Sequence, residues 1–153
     1  NDTFAIRLMG ELTRRVPGLK TEMAGFKRCV NPTLDRYLHE PCLDDMAMMY
    51  SSADFYLSGS RIEGSPLPPL ESMACGCIPA VTRIGSEEYL EDEVNGIVLD
   101  ADKPQEALDR ILAVYADDGL RRSLMRNALR TARQRPWSMV CEAFEGMLYA
   151  MRS

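Results

Sequence analysis

Glu63 and Glu71, eight positions apart, stand out as groups that could do chemistry. The stretch that carries them reads Ser58-Gly59-Ser60-Arg61-Ile62-Glu63-Gly64-Ser65-Pro66-Leu67-Pro68-Pro69-Leu70-Glu71-Ser72-Met73-Ala74-Cys75-Gly76. An ionised carboxylate accepts from two neighbouring hydroxyls at once, as the acid of a dinucleotide site does with a ribose. A second carboxylate can do the same for a sugar. A helix entered through Pro68 and Pro69 brings a positive dipole end and free N–H groups, which favour phosphate. Gly64 and the prolines at 66, 68 and 69 argue against one helix joining the two acids. The chain is therefore read as wrapping both carboxylates into one crevice, suited to a nucleoside diphosphate joined to a sugar. The plain alternative is two solvated acids near a helix start, where the dipole favours them by roughly 0.3–1 kcal/mol.

Such a crevice needs a scaffold, and the flanking patterns supply one. Phe4, Leu8, Met9 and Leu12 recur at helical spacing over 1–15, with Asn1 or Asp2 as cap and Pro17-Gly18 as stop. Residues 19–25 read as a weak strand, and Tyr37-Leu38 as a short one within an irregular stretch over 27–41. Leu43 to Tyr50 reads as a helix, Phe55 to Leu57 as a buried strand, and 58–66 as a loop. Pro68 to Cys75 is a helix ended by Gly76. Strands follow at Ile78–Thr82 and Ile97–Leu99, with a short helix expected over Glu87–Glu93 and a turn at Asn95-Gly96. Pro104–Ala116 is amphipathic through Leu108, Ile111, Leu112 and Tyr115, with Asp102 as cap. Leu120–Arg133 forms another helix. Val140, Phe144, Met147 and Leu148 mark a last one over about 138–152, anchored by Trp137. Short apolar strands alternating with helices predict a three-layer α/β domain with a parallel sheet. Ligands in such folds sit beyond the carboxyl ends of the strands, here after Gly25, Leu57 and Thr82.

Composition narrows the chemistry. The 153 residues are 46% hydrophobic and 27% charged, which fits a single globular domain over 1–153. The net charge of −5 argues against a nucleic-acid partner. No apolar run approaches the roughly 20 residues of a membrane span, and no secretory leader opens the chain. Cys29, Cys42, Cys75, Cys77 and Cys141 match no disulfide framework or zinc spacing, and His39 is the only histidine. The cysteines are read as small buried hydrophobes in a reducing compartment, and His39 as a loop residue rather than a base.

The Glu63–Glu71 pattern, followed by Met73-Ala74-Cys75-Gly76 and Pro79, resembles the signature of retaining glycosyltransferases of family 4, the group 1 transferases. The approach through Leu43, Tyr50, Ala53-Asp54 and Ser58 is similar too. So are Gly85-Ser86-Glu87-Glu88 and Asn95-Gly96-Ile97-Val98-Leu99 downstream. The likeness runs in order from residue 2 to about 150. It implies the C-terminal Rossmann-like half of a GT-B fold, with the first strand and its Arg and Lys missing. It implies that Glu71 binds the ribose hydroxyls and that Glu63, the catalytic candidate, contacts and positions the transferred sugar. The backbone of Gly64, Ser65, Pro66 and Leu67, with Leu70 beside it, would hold the sugar or diphosphate. Leu38 and His39 would flank the base. Arg61 and Glu88 are further donor-site candidates, weighed against surface solvation and a helix-start acid respectively. The resemblance implies a nucleoside diphosphate sugar as donor, no metal, an N-terminal acceptor-binding domain as partner, and a location in the cytoplasm or at its membrane face.

Two further departures from the family pattern stand out. Pro66 replaces a glycine and removes an N–H donor, and Ile84 before Gly85 leaves one glycine of a pair. Rival readings are a phosphorylase, a nucleotide-sugar epimerase and a non-catalytic binding module. A phosphorylase would need a lysine for pyridoxal phosphate, and Lys103, the only lysine after Lys27, has no such setting.

Overall fold

The computed structural model describes residues 2–27, 34–83 and 85–150. In chain order the elements are α1 (Asp2–Arg15), β1 (Glu22–Gly25), β2 (Arg36–His39), α2 (Leu43–Ser52), β3 (Phe55–Ser58) and α3 (Leu67–Ala74). They continue with β4 (Ile78–Thr82), β5 (Ile97–Leu99), α4 (Pro104–Ala116), α5 (Asp118–Arg133) and α6 (Trp137–Ala150). Every paired strand is parallel, as expected. The strands form two sheets rather than one: β1 with β2, and β3-β4-β5 in that order. No described strand joins β2 or β1 to β3. Asn1, Cys29 and Ile84, which the sequence reading used, lie outside the described residues.

Alternation along the strands divides the core between the two faces of the larger sheet. Ile78 and Ala80 of β4 and Ile97 and Leu99 of β5 point to one face. There they meet Phe4 and Leu8 of α1 and Ala107, Leu108 and Ile111 of α4. Val81 points to the other face, with Tyr56 and Val98, and packs against Met73 and Leu70 of α3 and Ala128 of α5. This is the expected helix–sheet–helix layering. Val114 of α4 is buried where Tyr115 was expected, and Tyr115 is 38% exposed.

The segment from β4 to β5 is a correction. Glu87–Glu93 is not a helix. A single turn closes when the Tyr89 and Leu90 N–H groups donate to the Ser86 carbonyl, at 3.1 and 2.8 Å. Buried Asn95 then competes with any further helical bonding. Its Oδ1 accepts from the Glu91 N–H at 2.8 Å, and its amide donates to the Tyr89 carbonyl at 2.8 Å and to Thr131 Oγ1 at 2.9 Å. Gly96 follows in a tight seat. A Cβ there would lie 2.8 Å from the Pro79 carbonyl oxygen and 2.5 Å from Leu90 Cδ1. Gly96→Ala should therefore lower the free energy of unfolding by about 2 kcal/mol, read from urea denaturation, because the obstructing oxygen belongs to β4 and cannot move alone.

Other local expectations fail for identifiable reasons. Asp102 does not cap α4, because Arg61 holds its carboxylate at 2.6 Å, and Lys103 occupies the cap without a side-chain bond. Asp117, which sequence reasoning passed over, caps α5 by accepting from the N–H groups of Gly119 and Leu120, both at 2.9 Å. Trp137 is 67% exposed rather than a buried anchor, and among the described residues α6 makes no extensive contact with the other elements. Of the described cysteines only Cys77 is buried, while Cys42 and Cys141 are exposed. No described helix is long and apolar enough to cross a membrane.

The outer side of β5 is occupied by side chains. Val98 points its N–H away from β4 to Asp92 Oδ1 at 2.8 Å, and its carbonyl accepts from Arg110. Arg110 also binds Asp92 at 2.7 Å.

Candidate functional site

The loop over 58–66 leaves the carboxyl end of β3 and re-enters the fold at α3. Pro66 is the N-cap, with Pro68 and Pro69 inside the first turn. Their missing N–H groups cost α3 nothing, because first-turn donors have no partner within a helix. The same substitution thins the anion-binding potential of the helix start. Between 64 and 70, N–H groups remain at Gly64, Ser65, Leu67 and Leu70.

Where this loop crosses the carboxyl ends of β3 and β4 it covers a hollow of about 130 Å³. The walls are Tyr56 and Ser58 from β3, Glu63 and Pro66 from the loop, Pro68 and Pro69 from α3, and Val81, Thr82 and Ser86 from β4 and beyond. Glu63 thus stands in the hollow. Glu71 does not line it; it sits one turn beyond Pro68 on the same side of α3, exposed. Tyr56 feels the charge of both. Burial is the main reason its phenol is harder to ionise than usual, and the charges of both Glu63 and Glu71 push in the same direction. Gly64 and Ser65 are exposed at the loop crest, and Leu70 packs into the core beneath α3.

A second aromatic sits deeper. Tyr50 of α2 meets Tyr56 edge to face, with ring centroids 5.7 Å apart. Burial raises its pKa, with the charges of Tyr56 and Glu71 adding to the effect. Tyr89 completes the group, donating from its hydroxyl to the Pro66 carbonyl at 2.6 Å. The loop rests on Gly85, whose φ is +72°; a Cβ there would lie 2.6 Å from the Gly64 carbonyl oxygen. Only glycine combines that left-handed backbone with that approach.

The remaining candidates lie elsewhere. A larger, more open hollow of about 480 Å³ lies over the carboxyl ends of β4 and β5 and includes Arg61, Arg83, Asp100, Asp102 and Arg110. Size alone favours it, but it contains neither glutamate, and Arg61 and Arg110 are already paired with acids there. Leu38 and His39 end β2 in the other sheet and line neither hollow. Glu88 is exposed and lines neither, and its backbone carbonyl accepts from Arg135. Among the described residues no group of three or more His, Cys, Asp or Glu could hold a metal. Tyr56 and Ser86, which line the hollow, and Tyr89, which holds its loop, are residues that sequence reasoning missed. The nearest signal was that Ser86 and Tyr89 flank the Glu87-Glu88 pair singled out for its acids.

Known proteins resemble this chain in sequence and in fold. D-inositol 3-phosphate glycosyltransferase of Salinispora tropica is 31% identical over 103 residues, covering 67% of this chain and 21% of that protein. The chain spans about a fifth of the length of such curated relatives. Sucrose-phosphate synthase from Thermosynechococcus elongatus superposes with a TM-score of 0.81 at 16% identity, over 99% of this chain and 43% of that one. HepE from Anabaena, solved in complex with UDP-glucose, superposes with a TM-score of 0.72 at 15% identity, over 94% of this chain and 53% of that one. These likenesses establish the fold of GT-B transferases. The family model for glycosyl transferases group 1 matches residues 12–131, and with the relatives it shows that this chain belongs to that family.

Proposed function

We propose that this chain is the donor-binding domain, over 1–153, of a retaining glycosyltransferase that moves a sugar from a nucleoside diphosphate to an acceptor hydroxyl. The observation that carries the reading is the Glu63-lined hollow at the carboxyl ends of β3 and β4, with Glu71 one helical turn along α3. Glu71 takes the two ribose hydroxyls. Glu63 takes hydroxyls of the transferred sugar and helps to position it. The N–H groups of Gly64, Ser65 and Leu67 face the sugar or diphosphate, with Leu70 packed beneath them, and the backbone at Leu38 and His39 flanks the base. HepE, a protein of the same fold, binds UDP-glucose, which makes a uridine nucleotide the first probe to try.

Departure of the diphosphate builds negative charge that must be stabilised. Here Arg61 is bound to Asp102 and Arg110 to Asp92, so both are committed elsewhere. Cations from the strand preceding α1 and from an N-terminal acceptor-binding domain fill this role, and no bound metal is needed. The reaction takes place in the cytoplasm, where nucleotide sugars are held.

It follows that the 153-residue chain alone transfers no sugar. The test is a radiolabel transfer assay with UDP-, ADP- and GDP-glucose against simple alcohol and sugar acceptors. Turnover by the chain alone would overturn this reading. The prolines at 66, 68 and 69 favour one rival, a binding module without catalysis. Absence of transfer by the full-length protein, with donor binding intact, would select it.

A further inference from the structure

The loop that carries Glu63 is held from below by two contacts on its outgoing half. The Gly64 carbonyl lies against Gly85, close enough that no Cβ fits between them. The Pro66 carbonyl accepts from the Tyr89 hydroxyl at 2.6 Å. Tyr89 itself is 8% exposed, packs with Val81 and Leu90, and belongs to the segment that Asn95 locks to α5. The outgoing half of the loop therefore takes its position from the folded body through one phenol and one glycine, while its incoming half is tied by the Thr82 hydroxyl, which donates to the Ser60 carbonyl, and by Arg61 on Asp102. Among the described residues, no other side-chain hydrogen bond ties 62–67 to the rest of the fold.

We propose that Tyr89 is a positioning residue of the donor site: by holding the Pro66 carbonyl it sets where Glu63 stands, and so governs affinity for the sugar end of a nucleotide sugar. This rests on the donor reading above. Glu71 lies beyond the held carbonyl, on α3, whose place is fixed by Met73 and Leu70 in the core. The nucleoside end should therefore not depend on Tyr89. The clamp also persists with pH. Burial is the chief cause that lifts the Tyr89 phenol up to about 12, with nearby Tyr56, Glu87 and Glu63 adding to it against the pull of Arg135. The phenol thus keeps its proton, and its role as donor, through the neutral range.

The test is Tyr89→Phe in the full-length protein, titrated with UDP, ADP and GDP and with the corresponding diphosphate glucoses. Phenylalanine keeps the ring that packs with Val81 and removes only the hydroxyl. Loss of one buried hydrogen bond that orders the loop should weaken the bound nucleotide sugar about tenfold, while its free diphosphate binds within a factor of two of wild type. Hydrogen exchange should quicken in peptides covering 58–66 and stay unchanged in those covering 78–82, which separates a freed loop from a loosened fold. Equal weakening of diphosphate and nucleotide sugar, or unchanged binding of both, would overturn the positioning role while leaving the donor reading intact. A wild-type protein that binds none of the six would overturn both.

Discussion

Glu71→Ala should weaken binding of the favoured nucleotide sugar about 100-fold in the full-length protein. A carboxylate that accepts from both ribose hydroxyls makes two charge-assisted hydrogen bonds. Their combined loss is about 3 kcal/mol, or two decades in affinity. The ribose is common to UDP and UDP-glucose, so both should weaken equally. Glu63→Ala should behave differently. Its carboxylate lines the hollow rather than the helix face beyond it, so the variant should lose affinity for the nucleotide sugar and keep it for the diphosphate. Isothermal titration of the two variants with one pair of ligands separates these roles. If both variants lose the diphosphate alike, the assignment of two ends to two acids is wrong.

Raising the pH from 9 to 12 should remove roughly 4 kcal/mol of stability through Cys77 alone. Cys77 is fully buried, and burial is the main cause that lifts its thiol from 9.0 up to about 12, with the charge of Asp54 adding to it. A folded-state pKa above the unfolded one means the native state holds a proton that the unfolded state has released. The stabilisation is complete below pH 9, and it is lost as pH climbs toward 12. Tyr89, lifted from 10.0 up to about 12, acts with the same sign over the upper part of that window, and Tyr50 and Tyr56 are raised as well. Urea midpoints measured at half-unit steps of pH should fall steeply above 9. In Cys77→Ala the fall should begin about one unit later, where the tyrosines take over. A flat profile to pH 11 would show that these groups reach solvent.

How much of this was legible depends on whether a contact is local. Ile78–Thr82, Ile97–Leu99 and Pro104–Ala116 have the boundaries expected from their apolar runs and flanking glycine or proline, because those signals act within a few residues. Glu87–Glu93 misleads because helix spacing is present but Asn95, up to eight residues on, claims the backbone groups that a helix would use. Asp102 misleads because Arg61, 41 positions away, takes its carboxylate. In the site, the acids were legible from type and spacing. Tyr56 was hidden because its role depends on which face of β3 it points to, and Tyr89 because the partner it holds lies 23 positions back. The split into two sheets follows from long-range pairing, which strand patterns alone do not reveal.

The side chains along β5 set the outer limit of the sheet. A strand from a neighbouring molecule could extend it only by bonding to Val98, and both backbone groups of that residue are already engaged by Asp92 and Arg110. The nucleus for edge-to-edge aggregation is thereby removed on that flank, leaving α4 and the hollow beside it free to face other molecules through side chains alone.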